Sequence, residues 1–139
     1  MLDFLSLNLY NKREKWHKCQ KSLLKWGEQW KLNVIYNELR LRGFSVDVGV
    51  INTREEGVRK QLEVDFVCNL GSKRYYIQSA YSMPSEEKRN QEIRPFTKID
   101  DSFKKIVITG DMSPTYYNDD GVLFMNIFDF LLKPENLNM

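Results

Sequence analysis

Cysteine and histidine are nearly absent: the chain holds only Cys19, Cys68 and His17. Neither cysteine belongs to a CxxC pair, and one histidine cannot complete a Cys/His set, so nothing points to structural zinc. Two thiols without a pairing pattern fit a reducing, cytoplasmic setting. His17 and Cys19 stand two residues apart, and residues at that spacing do not face each other on a helix, so they do not read as a nucleophile and its base. No apolar run approaches the roughly 18–20 residues that cross a bilayer. The opening MLDFLSLNLYNKREK carries its charges after the apolar stretch, the reverse of a secretory leader. Neither G-x-x-x-x-G-K-[ST] nor G-x-G-x-x-G occurs, which leaves no loop for cradling a nucleotide phosphate. Internal repeats, low-complexity tracts and Gly/Ser linkers are missing too. The 139 residues therefore read as one domain, large enough to bury roughly 70% of its unfolded surface.

What is present is ordinary in amount and uneven in placement. Apolar residues make up 42% and charged residues 29% of the chain, as in soluble globular proteins. The net charge of +2 conceals a basic stretch from 12 to 25, where six lysines and arginines oppose only Glu14 and alternate with Trp16 and Trp26. Such a stretch is a solvated helix face or a nucleic-acid contact in which Lys15, Lys18 and Lys21 would meet phosphates. Residues 1–27 are accordingly set apart as a basic, helical N-terminal segment, and residues 28–139 as the folded domain.

Within that domain the periodicity alternates between helix and strand. Residues 28–42, EQWKLNVIYNELRLR, space Trp30, Val34 and Leu41 as an apolar helical stripe, stopped at Gly43 behind Arg40 and Arg42. FSVDVGV (44–50) alternates as a strand, and 52–60 reads as a charged connection. QLEVDFVCN (61–69) alternates again, with Leu62, Val64 and Phe66 on one face and Glu63, Asp65 and Val67 on the other. The turn NLGS leads into RYYIQSA (74–80) as a hairpin, with Tyr75 and Tyr76 packed in the sheet. Ser85 caps a polar helix over 85–94, ended by Pro95. KKIVITG (104–110) is a buried strand, residues 111–121 are loop, and 122–132 is a strand running into a last helical turn or two. This order predicts an α/β (α+β) domain: a central mixed sheet flanked by helices.

The chemistry is concentrated in Glu38, Asp65 and Gln78. Two adjacent strands, each offering an acidic side chain, with a lysine two residues beyond the second, make a metal-dependent phosphodiesterase site. The carboxylates hold the metal, while metal and lysine activate water and stabilise the phosphorane. Helix glutamate, Asp, then (Asp/Glu)-x-Lys is the signature of the PD-(D/E)XK, or restriction-endonuclease-like, superfamily. More closely, VIYNELRLRGFSVDVG, KQLEVDFVCNLGSKRYYIQSAYSMPSEEKRNQE and DSFKKIVIT resemble the C-terminal domain, of unknown function, of predicted bacterial AAA-type ATPases. The resemblance covers residues 33–132 and implies a restriction-endonuclease-like core. In it, Glu38 matches the helix glutamate and Asp65 the first strand carboxylate. Gln78 and Ala80 stand where an active nuclease has its second acid and its lysine. That substitution implies a vestigial site: Asp65 and Glu38 would hold Mg2+ weakly if at all, and no other cofactor is expected. Losing such groups costs factors of about 10² to 10⁴ in phosphoryl chemistry. The expected role is then a non-catalytic accessory domain that docks to an ATPase module, another protein or a second copy of itself, with nucleic acid as a further partner and no membrane. The alternative is a Mg2+-dependent DNA nuclease using Asp65 and Glu38, with neighbouring Lys73, Arg74 or Lys88 moving in to replace the missing lysine. In neither case does this chain carry the ATP-binding motif of an ATPase. A structural reading of the acids remains: Asp65 and Glu38 as capping groups or as partners of Arg40, Arg42 or Arg89.

Overall fold

The computed structural model of the protein describes residues 23–138. The basic segment with Lys15, Lys18 and Lys21, and the helix expected there, lie outside the described residues apart from its last few positions. The elements run α1 (Leu23–Leu41), β1 (Ser45–Glu55), β2 (Val58–Leu70), β3 (Lys73–Ala80), α2 (Glu86–Ile93), a 3-10 turn (Phe96–Lys98), β4 (Lys104–Thr109), β5 (Tyr116–Tyr117), β6 (Leu123–Asn126), α3 (Ile127–Leu132) and a final 3-10 turn (Pro134–Asn138). The strands form one mixed sheet in the order β1-β2-β3-β4-β6-β5. β1, β2 and β3 are antiparallel neighbours, β3, β4 and β6 run parallel, and β5 returns antiparallel along β6. Parallel strands need a crossover, and α2 supplies it between β3 and β4.

Two apolar layers sandwich the sheet. On one side Ile35 and Leu39 of α1 and Ile127 and Phe130 of α3 pack on Phe66, Cys68, Tyr75, Ile77, Ile106 and Ile108. On the other, Ile93 and Phe96 pack on Val64, Tyr76, Ala80, Val107 and Phe124. β4 is covered on both faces, which is why IVIT reads as an unbroken apolar run instead of an alternating one. Each isoleucine or leucine fully removed from water here stabilises the fold by about 1.5–3 kcal/mol. Caps fix the helix ends. The Ser85 side chain accepts from the Lys88 N–H, and Asn126 Oδ1 accepts from the Asp129 N–H at 2.8 Å, each satisfying a donor the first turn leaves open.

Four expectations require correction. The buried positions of α1 are Lys31, Asn33, Ile35 and Leu39; of the expected stripe Val34 does pack against the core, whereas Trp30 is 51% and Leu41 83% exposed. The charged stretch 52–60 is no loose connection: β1 and β2 continue through it to a two-residue turn at Glu56 (φ 51°) and Gly57 (φ 81°), the left-handed pair that matches strand twist. Strict alternation fails in β2. The register steps from Asp47↔Val67 to Gly49↔Val64, so β2 carries one extra residue, and a β-bulge at Asp65–Phe66 puts Val64 in the layer opposite Phe66. Finally, the stretch read as loop contains β5.

Candidate functional site

The bulge determines what Asp65 does. Backbone pairing between β2 and β3 runs from Leu70↔Lys73 to Phe66↔Ile77 and stops there. Beyond that rung the strands part, and the next N–H groups would lack acceptors. Side chains supply them: the Ser79 N–H donates to Asp65 Oδ2 at 2.8 Å, and the Asp65 N–H donates to Gln78 Oε1 at 2.7 Å. Asp65 and Gln78 are thus on adjacent antiparallel strands and lock each other. Gln78 is buried, and a glutamine here can accept from the Asp65 N–H without setting a second negative charge beside the first.

Glu38 has other partners. Its carboxylate accepts from Arg42 Nε at 2.7 Å; Arg42 also donates to the Phe130 carbonyl at 2.6 Å and lies over the Phe130 ring. This is the structural pairing with Arg42 that the sequence left open, and it ties α1 to α3. The three proposed substitutes for the missing lysine are engaged elsewhere. Lys73 donates to Asn138 Oδ1, Arg74 to Asn69 Oδ1, and Lys88 pairs with Glu92 at 2.7 Å. The structure brings a different lysine to position 80. Lys31, 3% exposed, donates to the Ala80 carbonyl with its ammonium 5.8 Å from the centre of the Tyr81 ring. The same carbonyl accepts from the Gly110 N–H. Only one signal marked Lys31 in the sequence: it stands four residues before Ile35 and eight before Leu39, a lysine on a core stripe.

A cleft of about 200 Å³ opens at the carboxyl ends of β4 and β6, lined by residues including Arg89, Thr109, Asp111, Tyr116 and Phe124. Glu38, Asp65 and Gln78 do not line it. Asp111 is held by accepting from the Met83 N–H at 2.8 Å, and Tyr116 stacks on Phe124. Among the described residues no three His, Cys, Asp or Glu side chains converge to hold a metal ion. The donor set agrees poorly with Mg2+: one Asp65 oxygen and the Gln78 oxygen are bound to backbone N–H groups, and Glu38 is paired with Arg42.

An uncharacterized protein of Haemophilus influenzae is 32% identical to the chain over 104 residues. The match takes in 73% of this chain and 22% of that protein, so the chain spans about a fifth of the length of its relative. No family model and no solved structure matches it. Among the described residues no helix is long and apolar enough to cross a membrane.

Proposed function

We propose that this domain is a non-catalytic, restriction-endonuclease-like accessory module of an AAA-type ATPase system, acting by docking to a partner protein and by contact with nucleic acid. One observation carries the non-catalytic half: the polar side chains at the superfamily's catalytic positions close the diverging end of the β2–β3 ladder, Asp65 on the Ser79 N–H and Gln78 on the Asp65 N–H. A carboxylate built into the ladder is a structural acceptor, and moving it toward a metal would leave a half-buried donor without a partner. The mixed sheet flanked by helices supports the fold assignment. The Haemophilus relative, of which the match takes in 22%, supports the reading that such a domain works beside others. The experiment is incubation of purified protein with plasmid and single-stranded DNA in Mg2+ or Mn2+; the DNA should stay intact.

Lys31 favours a second reading, a metal-dependent nuclease in which the displaced lysine comes from α1. Its ammonium stands at Ala80, the residue after the one whose N–H holds Asp65. Metal-dependent cleavage abolished by both Asp65→Ala and Lys31→Met would establish that reading and overturn the first.

A further inference from the structure

The β1–β2 ribbon carries a charge arrangement that its own packing does not explain. Its two faces differ. On the inward face Ile51 packs against the second apolar layer, and Glu55 is paired with both Lys60 (2.8 Å) and Arg94, just past α2. These ion pairs hold its carboxyl down at about 2 and fasten the ribbon to the body. On the outward face the rungs are Val50↔Glu63, Asn52↔Gln61 and Arg54↔Arg59, all six residues exposed. Arg54 and Arg59 are directly opposite each other, and like charges so placed destabilise an antiparallel pair. Among the described residues neither guanidinium has a hydrogen bond or an ion pair. Glu55, the next residue along β1, faces inward and is engaged by Lys60 and Arg94, while Glu56 at the turn and Glu63 at the base lie off the arginine rung. The neighbouring rung is an amide pair, the Gln61 side chain donating to Asn52 Oδ1 at 3.1 Å.

We propose that this outward ribbon face is a docking surface for duplex nucleic acid, with Arg54 and Arg59 on backbone phosphates and the Asn52–Gln61 rung toward the base edges. The arginine rung concentrates two forked donors where an anion relieves their mutual repulsion, and a guanidinium matches phosphate geometry two bonds at a time. A two-stranded ribbon is also narrow enough for the major groove, about 12 Å wide. From Val50 to Glu55 it extends about 17 Å at 3.4 Å per residue, enough to reach across the groove. An acidic protein would satisfy the charges but would leave the amide rung and the ribbon's width without a purpose. The inference deepens the nucleic-acid half of the proposed function by naming its surface. The test is run without metal, so that a failure of binding and a failure of the non-catalytic reading are seen separately.

The test is fluorescence anisotropy of a labelled 20-base-pair duplex of mixed sequence with the full chain, from about 50 to 200 mM salt, the range over which phosphate contacts show as slope. Each lost phosphate contact removes about 0.9 from the slope of log K against log salt. The Arg54→Gln/Arg59→Gln variant should therefore flatten it by about 1.8, so that its affinity deficit is about twelve-fold larger at the low-salt end than at the high. Arg54→Lys/Arg59→Lys keeps the charge and should keep the slope while binding more weakly. Thermal melts of both variants should match or exceed the wild type, since a repulsive rung has gone or been softened. The proposal is overturned by an unchanged slope in Arg54→Gln/Arg59→Gln, including the case in which Lys15→Glu/Lys18→Glu/Lys21→Glu alone abolishes binding. Displacement of the duplex by poly-glutamate as readily as by unlabelled duplex would also overturn it, and would make an acidic protein the occupant.

Discussion

Removing the Asp65 carboxylate separates a structural acid from a catalytic relic. In Asp65→Ala the Ser79 N–H loses an acceptor 2.8 Å away at the point where the β2–β3 ladder has already ended. A hydrogen bond to a charged group contributes about 1.5–3 kcal/mol. Both residues are half-buried, so water replaces part of the loss, and the lower end, about 1.5–2 kcal/mol, is expected. For 139 residues at about 2.1 cal/mol/K each, the unfolding entropy is about 0.29 kcal/mol/K, so the melting temperature should fall by about 5–7 °C. Asp65→Asn keeps an oxygen acceptor and should lose about half as much. Thermal and urea melts by circular dichroism, with and without Mg2+, read the result. A variant as stable as the wild type, coupled with a Mg2+-dependent rise in melting temperature seen only in the wild type, would refute the reasoning and return Asp65 to a metal site.

Gly110→Ala should cost about 2 kcal/mol, an overpacking effect, because the new methyl would stand 2.5 Å from the Tyr81 carbonyl oxygen; a melt within 2 °C of wild type would contradict the close approach. Glu55, held near 2 against an ordinary 4.5 by Lys60 and Arg94, contributes stability that is complete above pH 4.5 and lost as pH falls toward 2. Glu55→Gln should therefore flatten the acid limb of a stability–pH curve over that window, and an unchanged limb would show that the two ion pairs do not persist in solution. Burial pushes the Cys68 thiol up to about 12, so in a Cys19→Ser background it should resist thiol reagents at pH 8 until denaturant opens the core; rapid labelling of the native protein would contradict its placement.

The apolar run IVIT, the hairpin at NLGS, the Ser85 cap and the stop at Gly43 were legible from sequence because each shows within a few residues of itself. Those local rules sufficed for the element order and for a mixed sheet between helices. Asp65 and Gln78 could be placed on neighbouring strands for the same reason, since a two-residue turn sets the register between them. The bulge could not be read. It lies in the pairing of β2 with β1, between residues far apart in the chain, and it falls where Asp65 accepts from the Ser79 N–H. The buried stripe of α1 was also misjudged, because Trp30 and Leu41 look like core residues until the sheet shows which side of the helix it covers. Lys31 reaches Ala80 across forty-nine positions, and Arg54 faces Arg59 only once the charged stretch is known to continue as paired strands. Sequence by itself determined which residues are able to pair, cap and turn; the packing of the helix and strands on one another decided which carboxylate accepts from the Ser79 N–H, which lysine is buried and which arginines stand exposed side by side.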